Sequence, residues 1–92
     1  MGRWADVGRE SSLEKKRKSQ VEEQGGLYFK QKGLPGVPDR LLLMPVPEEH
    51  RELVSRYVRF EELKSSVGKL SPIQERVIGW LRKRGYVVDV VA

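Results

Sequence analysis

Apolar positions along the chain change period several times, and each change marks an expected element. Ile73, Val77, Trp80 and Leu81 fall at offsets 0, 4, 7 and 8, a single stripe that predicts a helix with Trp80 in its core face. Ser71 and Gln74 frame its start as a capping box, Pro72 takes the first helical position, and Gly85 ends it. From Tyr57 to Lys64 the period drops to two. Val58, Phe60, Glu62 and Lys64 then share one face of a strand, and Tyr57, Arg59, Glu61 and Leu63 the other. Tyr86 to Val91, rich in β-branched residues, predicts a closing strand.

The first half has weaker signals. Residues 1–8 carry no clear period, and we expect an arm reaching to about residue 10. Ser11 and Glu14 match a capping box, so a helix is expected from there to the Gly25-Gly26 stop, with Leu13 and Val21 on a thin apolar face. Leu27 to Lys30 predicts a short strand, Lys32 to Pro38 a loop, and Asp39 to Met44 a second strand apolar enough to be covered on both faces. Pro45 to Arg56 is a polar excursion with a short helical turn around Glu48 to Ser55. The resulting order is α-β-β-β-α-β, an α/β domain spanning 1–92 with a mixed sheet of about four strands flanked by helices.

Composition narrows the chemistry. The chain has no cysteine and one histidine, His50, which removes thiol nucleophiles, zinc-finger ligand sets and histidine-based triads. Carboxylates and lysines remain. A net charge of +5 favours a polyanionic partner, with Lys15 to Lys18 and Arg82 to Arg84 as basic runs that ordinarily form solvated helix faces. No stretch is apolar enough to span a bilayer, and the start lacks the apolar core of a signal peptide.

Asp39 follows Pro38 at the beginning of one expected strand, and Glu62-Leu63-Lys64 lies 23 positions later near the end of another. Hydrolysing a phosphodiester calls for a hard cation, and carboxylates are the ligands that Mg²⁺ accepts. Asp39 and Glu62 are carboxylates that could share one ion, Leu63 could lend its backbone carbonyl, and the strand period puts Lys64 beside Glu62, where an ammonium could orient or activate the attacking water. The same pattern is also what a surface ion pair leaves in a chain with 34% charged residues.

Taken in order, Gly25-Gly26, Lys30, Gly36-Val37-Pro38-Asp39-Arg40, Phe60-Glu61-Glu62-Leu63-Lys64 and Leu70-Ser71-Pro72-Ile73-Gln74 resemble the virus-type replication-repair nuclease (VRR-NUC) family, a branch of the PD-(D/E)xK superfamily. The resemblance runs from about Ser11 to Val91. It implies a restriction-endonuclease-like core, Mg²⁺ or Mn²⁺ held by Asp39 and Glu62, catalysis by Lys64, and Gln74 beside the site. Glu14 would approach the metal from the first helix or, equally, close the Ser11 box; Gln74 has the same alternative with Ser71. Apart from the resemblance, Lys30 and Arg40 either steer DNA phosphates to the metal or are ordinary strand-end charges. The resemblance further implies a DNA endonuclease selective for structures such as four-way junctions, a two-fold homodimer, and a phage-encoded protein acting in a bacterial cytoplasm.

Two features depart from the family pattern. Position 61 is usually apolar but is Glu61 here, which implies an open edge, pairing with Arg59 or Arg40, or a shifted register in which Glu61 is the ligand. The segment between the second and third strands is also long. A reading from another class is a non-catalytic basic module that binds DNA or a replication protein, its carboxylates serving ion pairs.

Overall fold

The computed structural model describes the backbone of residues 2–31, 33, 35–65 and 68–92, and side chains from residue 12 onward. Lys32 and Leu34, part of the expected 32–38 loop, lie outside the described residues. The chain divides into two compact units, Met1–Met44 and Pro45–Ala92.

In the first unit, helix α1 runs from Gly2 to Glu23. The arm expected over residues 1–10 is therefore helical from Gly2, and Ser11 lies inside the helix instead of capping it. An interior serine has no free N–H group to satisfy, because the preceding turn already supplies the acceptors. The helix stops where the glycines predicted. Gly25, at φ 81°, donates to Glu22 O and Gly26 donates to Val21 O, the paired bonds of a Schellman motif. A Cβ on Gly26 would stand 2.7 Å from Met44 Sδ and 2.9 Å from Val21 Cγ1, so the chain can turn into β1 only without a side chain there.

Strands β1 (Leu27–Lys30) and β2 (Arg40–Leu43) form an antiparallel ladder, pairing Leu27 with Leu43 and Lys30 with Arg40. α1 packs on β1, and Val21 and Leu43 are buried. Leu13 is 60% exposed and contributes no core; among the described side chains of α1 the buried apolar one, Val21, lies in the last turns. β2 is not covered on both faces: alternation buries Leu43 and leaves Leu42 38% exposed.

The second unit opens with a 3-10 turn (Glu48–His50) and helix α2 (Arg51–Ser55), the helical turn expected in the polar excursion. Strand β3 (Arg59–Leu63), helix α3 (Pro72–Lys83) and strand β4 (Val87–Val91) follow, and β3 pairs with β4 in parallel, Glu62 opposite Val90. A parallel pair needs a crossover, which α3 supplies. The Ser71–Gln74 capping box forms in both directions, with Pro72 in the first turn. Gly85, at φ 94°, donates to Arg82 O while Tyr86 donates to Leu81 O, again a Schellman ending.

The buried stripe of α3 differs from the expected one. Ile78 and Leu81 are buried, whereas Ile73 is 65% and Trp80 42% exposed. Offsets 0, 4, 7 and 8 fit a helix face, but the face covered in the structure is that of Gln74, Val77, Ile78 and Leu81, above a sheet that is two strands wide among the described residues. Val46, Ile78, Leu81 and Val88 form this unit's core, and Phe60 meets Tyr86 edge-on at 5.9 Å. The fold is thus mixed α/β. Its described strands pair as two two-stranded sheets, one in each unit, in place of the single sheet of about four expected. Hydrogen-bonding capacity along a strand cannot be read from side-chain period, which reports faces and not partners.

Candidate functional site

Strand β3 alternates as its sequence predicts. Arg59, Glu61 and Leu63 are exposed, while Phe60, Glu62 and Lys64 are partly covered on the other face. Lys64 Nζ lies 3.6 Å from Glu62 Oε1, so the pair shares one face at the end of the strand. The register leaves Glu62, not Glu61, beside Lys64. Glu61 stands on the open face with Arg59 and Asp89, and Arg59 bonds Asp89 Oδ2 at 3.1 Å. The open edge and face explain how position 61 carries a charge without burying it.

Lys64 N–H donates to Val91 O at 2.8 Å. In a parallel ladder alternate residues turn their peptide groups toward the neighbour, so Phe60, Glu62 and Lys64 face β4 and Leu63 turns its carbonyl to the opposite edge of β3. Among the described residues that edge pairs with no strand. The Glu62 carboxylate, paired with Lys64, and the Leu63 carbonyl, on the edge away from β4, are thus oxygen ligands on consecutive residues.

Glu61 and Glu62 both line a groove of about 280 Å³ whose apolar wall includes Phe60, Val77, Leu81 and Val88, and Gln74 from the first turn of α3 lines it too. Gln74 is already employed: its Oε1 accepts from Ser71 N–H at 2.9 Å, and its own N–H donates to Ser71 Oγ at 3.2 Å. The capping role foreseen for Gln74 is thus met, in a position that also borders the groove.

The first unit carries the other expected residues. Asp39 precedes β2 with its side chain 81% exposed, and its carbonyl accepts from Gln31 N–H at 2.9 Å, which extends the hairpin past Lys30 and Arg40. Glu14 lies on α1, in which Ser11 is an interior position and not a cap. Its Oε1 meets Lys30 Nζ at 3.1 Å and its Oε2 meets Arg40 Nη2 at 3.3 Å. The hydrogen bond from Lys30 is the main force holding the Glu14 carboxyl below the usual carboxylate range, with the charges of Lys30 and Arg40 adding to it against partial desolvation. Desolvation opposes the charge on Arg40, but Asp39 and Glu14 outweigh it and raise its pKa. Arg40 also reaches the Asp39 carboxylate at 3.4 Å and its carbonyl at 3.0 Å.

Sequence reasoning did not foresee this Glu14–Lys30–Arg40 cluster. The available signal was the hairpin: two basic residues flanking one loop become cross-strand partners once the strands pair. Nor did it foresee Arg51, whose Nε donates to Val46 O at 3.1 Å and whose Nη2 lies 3.5 Å from Lys83 O, fastening the start of the unit to the end of α3. Of the basic run after Trp80, Arg82 donates to Val88 O at 2.7 Å and Arg84 to Trp80 O at 3.0 Å, so two of its three cations serve the backbone.

Among the described residues of either unit no three His, Asp or Glu side chains gather as a metal-ligand set. No described helix is long and apolar enough to cross a membrane. Comparison of the chain with protein-family models, with curated proteins and with solved structures gives no match.

Proposed function

We propose that this protein is a metal-dependent phosphodiester hydrolase acting on DNA, built on a VRR-NUC-like, restriction-endonuclease-like plan. The observation that carries the reading is the Glu62–Lys64 pair, 3.6 Å apart on the partly covered face of β3 with Glu61 turned away. A strand used only as an exposed edge has no need to place a carboxylate and an ammonium together on its covered side.

Mg²⁺ or Mn²⁺ takes hard oxygen ligands, and the second unit has two on consecutive residues, the Glu62 carboxylate and the Leu63 carbonyl, with Asp39 a further carboxylate in the first unit. Asp39 is largely exposed, Glu62 is partly so, and the Leu63 carbonyl faces an unpaired edge; all are hard oxygen donors. Glu14 does not fit as it stands, because both its oxygens are engaged by Lys30 and Arg40. A bound divalent cation supplies neutralisation of the charge developing on the phosphoryl oxygens. In the second unit, Glu62 and the Leu63 carbonyl would hold it. Lys64 steadies the Glu62 carboxylate and offers its remaining N–H donors to a water for in-line attack. Gln74 holds the start of α3 through Ser71 and so fixes one wall of the groove beside Glu62. A two-fold homodimer selective for four-way junctions, in a phage-infected bacterial cytoplasm, is the setting this reading extends to.

One observation favours the non-catalytic reading, a basic module that binds DNA or a replication protein: Glu14 serves two cations, the behaviour of a structural ion pair. Cleavage of a labelled four-way junction and a matched duplex, with Mg²⁺, Mn²⁺ or EDTA, separates the two. Metal-dependent cutting should fall about 100-fold or more in Glu62→Ala and Lys64→Ala while DNA binding persists. A protein that binds but cuts with neither metal, or cutting that survives both substitutions, would leave the binding module as the function.

A further inference from the structure

Lys30 and Arg40 are register partners across the β1–β2 ladder, so their side chains leave the same face of the hairpin. Glu14 of α1 lies between them and gives one oxygen to each cation, at 3.1 and 3.3 Å. Arg40 meets Asp39 as well, at 3.4 Å to the carboxylate and 3.0 Å to the carbonyl. Two cations thus face two carboxylates, and the formal charge of the group is zero.

Exposed ion pairs of this kind add little to stability. The geometry is of more interest. A carboxylate bridging an ammonium and a guanidinium, one oxygen on each, occupies the place that the two non-bridging oxygens of a phosphodiester would take. We infer that Lys30 and Arg40 form a binding site for one phosphate of a DNA backbone, and that Glu14 fills that site in the free protein as a built-in competitor. The inference rests on the reading of the chain as a protein that acts on DNA. DNA must displace Glu14 before its phosphate is held, so the affinity of this protein for duplex is lower than its charge of +5 would give.

The test measures binding in EDTA, where nothing is cut, by anisotropy of a labelled duplex across a salt series. Glu14→Gln should bind roughly threefold to tenfold tighter at about 0.1 M salt, with a log K against log salt slope steeper by about one to two. Adding Lys30→Gln and Arg40→Gln to Glu14→Gln should erase the gain. An unchanged or weaker Glu14→Gln, or a gain that survives the triple substitution, overturns the inference.

A second measurement follows the Arg40 Nε–H resonance of the wild type by NMR, and it stands whether or not Glu14→Gln folds. Duplex should shift it to saturation, and inorganic phosphate at the same phosphate concentration should shift it little. An unmoved resonance with duplex overturns the site, and equal saturation by inorganic phosphate overturns its assignment to a nucleic-acid backbone. Failure here leaves the Glu62 and Lys64 cleavage result untouched, and loss of cleavage leaves this binding result untouched.

Discussion

Replacing Gly85 with alanine tests how the second unit holds the end of α3. Gly85 sits at φ 94°, a conformation that strains an L side chain by about 1–2 kcal/mol. Its new Cβ would fall 2.6 Å from Arg51 Nε and 3.0 Å from Arg51 Cγ and Cδ, so the guanidinium must move. Moving it breaks the 3.1 Å bond to Val46 O and the longer 3.5 Å contact to Lys83 O. A charge-assisted bond at a partly buried site contributes about 1 kcal/mol or somewhat more, and the long contact adds little. The expected cost is therefore about 2–3 kcal/mol, combining the strain with the lost bond. For a chain of this size that lowers the melting temperature by about 10–20 °C.

Urea and thermal unfolding followed by circular dichroism and tryptophan fluorescence read the effect. Arg51→Ala alone should cost about 1 kcal/mol, and the double variant should fall short of additivity by about the same amount, because the bond is lost only once. A Gly85→Ala protein within about 0.5 kcal/mol of wild type would refute the steric argument, since neither strain nor displacement would then be real. Strict additivity would leave the strain standing and refute the part assigned to Arg51.

The capping box predicts that Ser71→Ala destabilises by about 1 kcal/mol, and that adding Gln74→Ala costs little more, because each bond depends on the same turn; chemical denaturation of the two single variants and the double checks this. If Gln74 acts only through the cap, cleavage measured well below the melting temperature should be equal in Ser71→Ala and Gln74→Ala, and a selective loss in Gln74→Ala would give the amide a direct part. For Glu14 the folded pKa lies below its ordinary value of 4.5, so its ion pairs contribute stability above that pH and lose it as pH falls through the lowered value. The urea midpoint of wild type minus that of Glu14→Gln should hold constant above about pH 5 and shrink on acidification, and a flat difference would mean that the Lys30 and Arg40 contacts contribute nothing.

Local signals carried far in this chain. The endings of α1 and α3 were legible because glycine takes the left-handed conformation at Gly25 and Gly85 without the strain a Cβ brings, and the start of α3 because serine, proline and glutamine each suit one position of a first turn. Alternation alone placed Glu62 and Lys64 together and turned Glu61 away, since successive strand side chains must point to opposite faces. The start of α1 was not legible: Ser11 and Glu14 spell a capping box whether or not a helix already runs through them, and the preceding residues show no apolar period.

What tertiary structure decided was partnership. Period told which residues share a face, but the ladders decided that four strands pair two by two, that Lys30 stands opposite Arg40, and that the Leu63 carbonyl is left at an edge. Packing of α3 buries Ile78, which the expected stripe did not include, together with Leu81, and leaves Ile73 and Trp80 exposed. Glu14 shows the same division: its place on a helix follows from local sequence, whereas its two cationic partners come from strands 16 and 26 residues away in the chain. Backbone propensity acts over a few neighbouring residues, and contacts across such separations exist only once the chain has closed on itself.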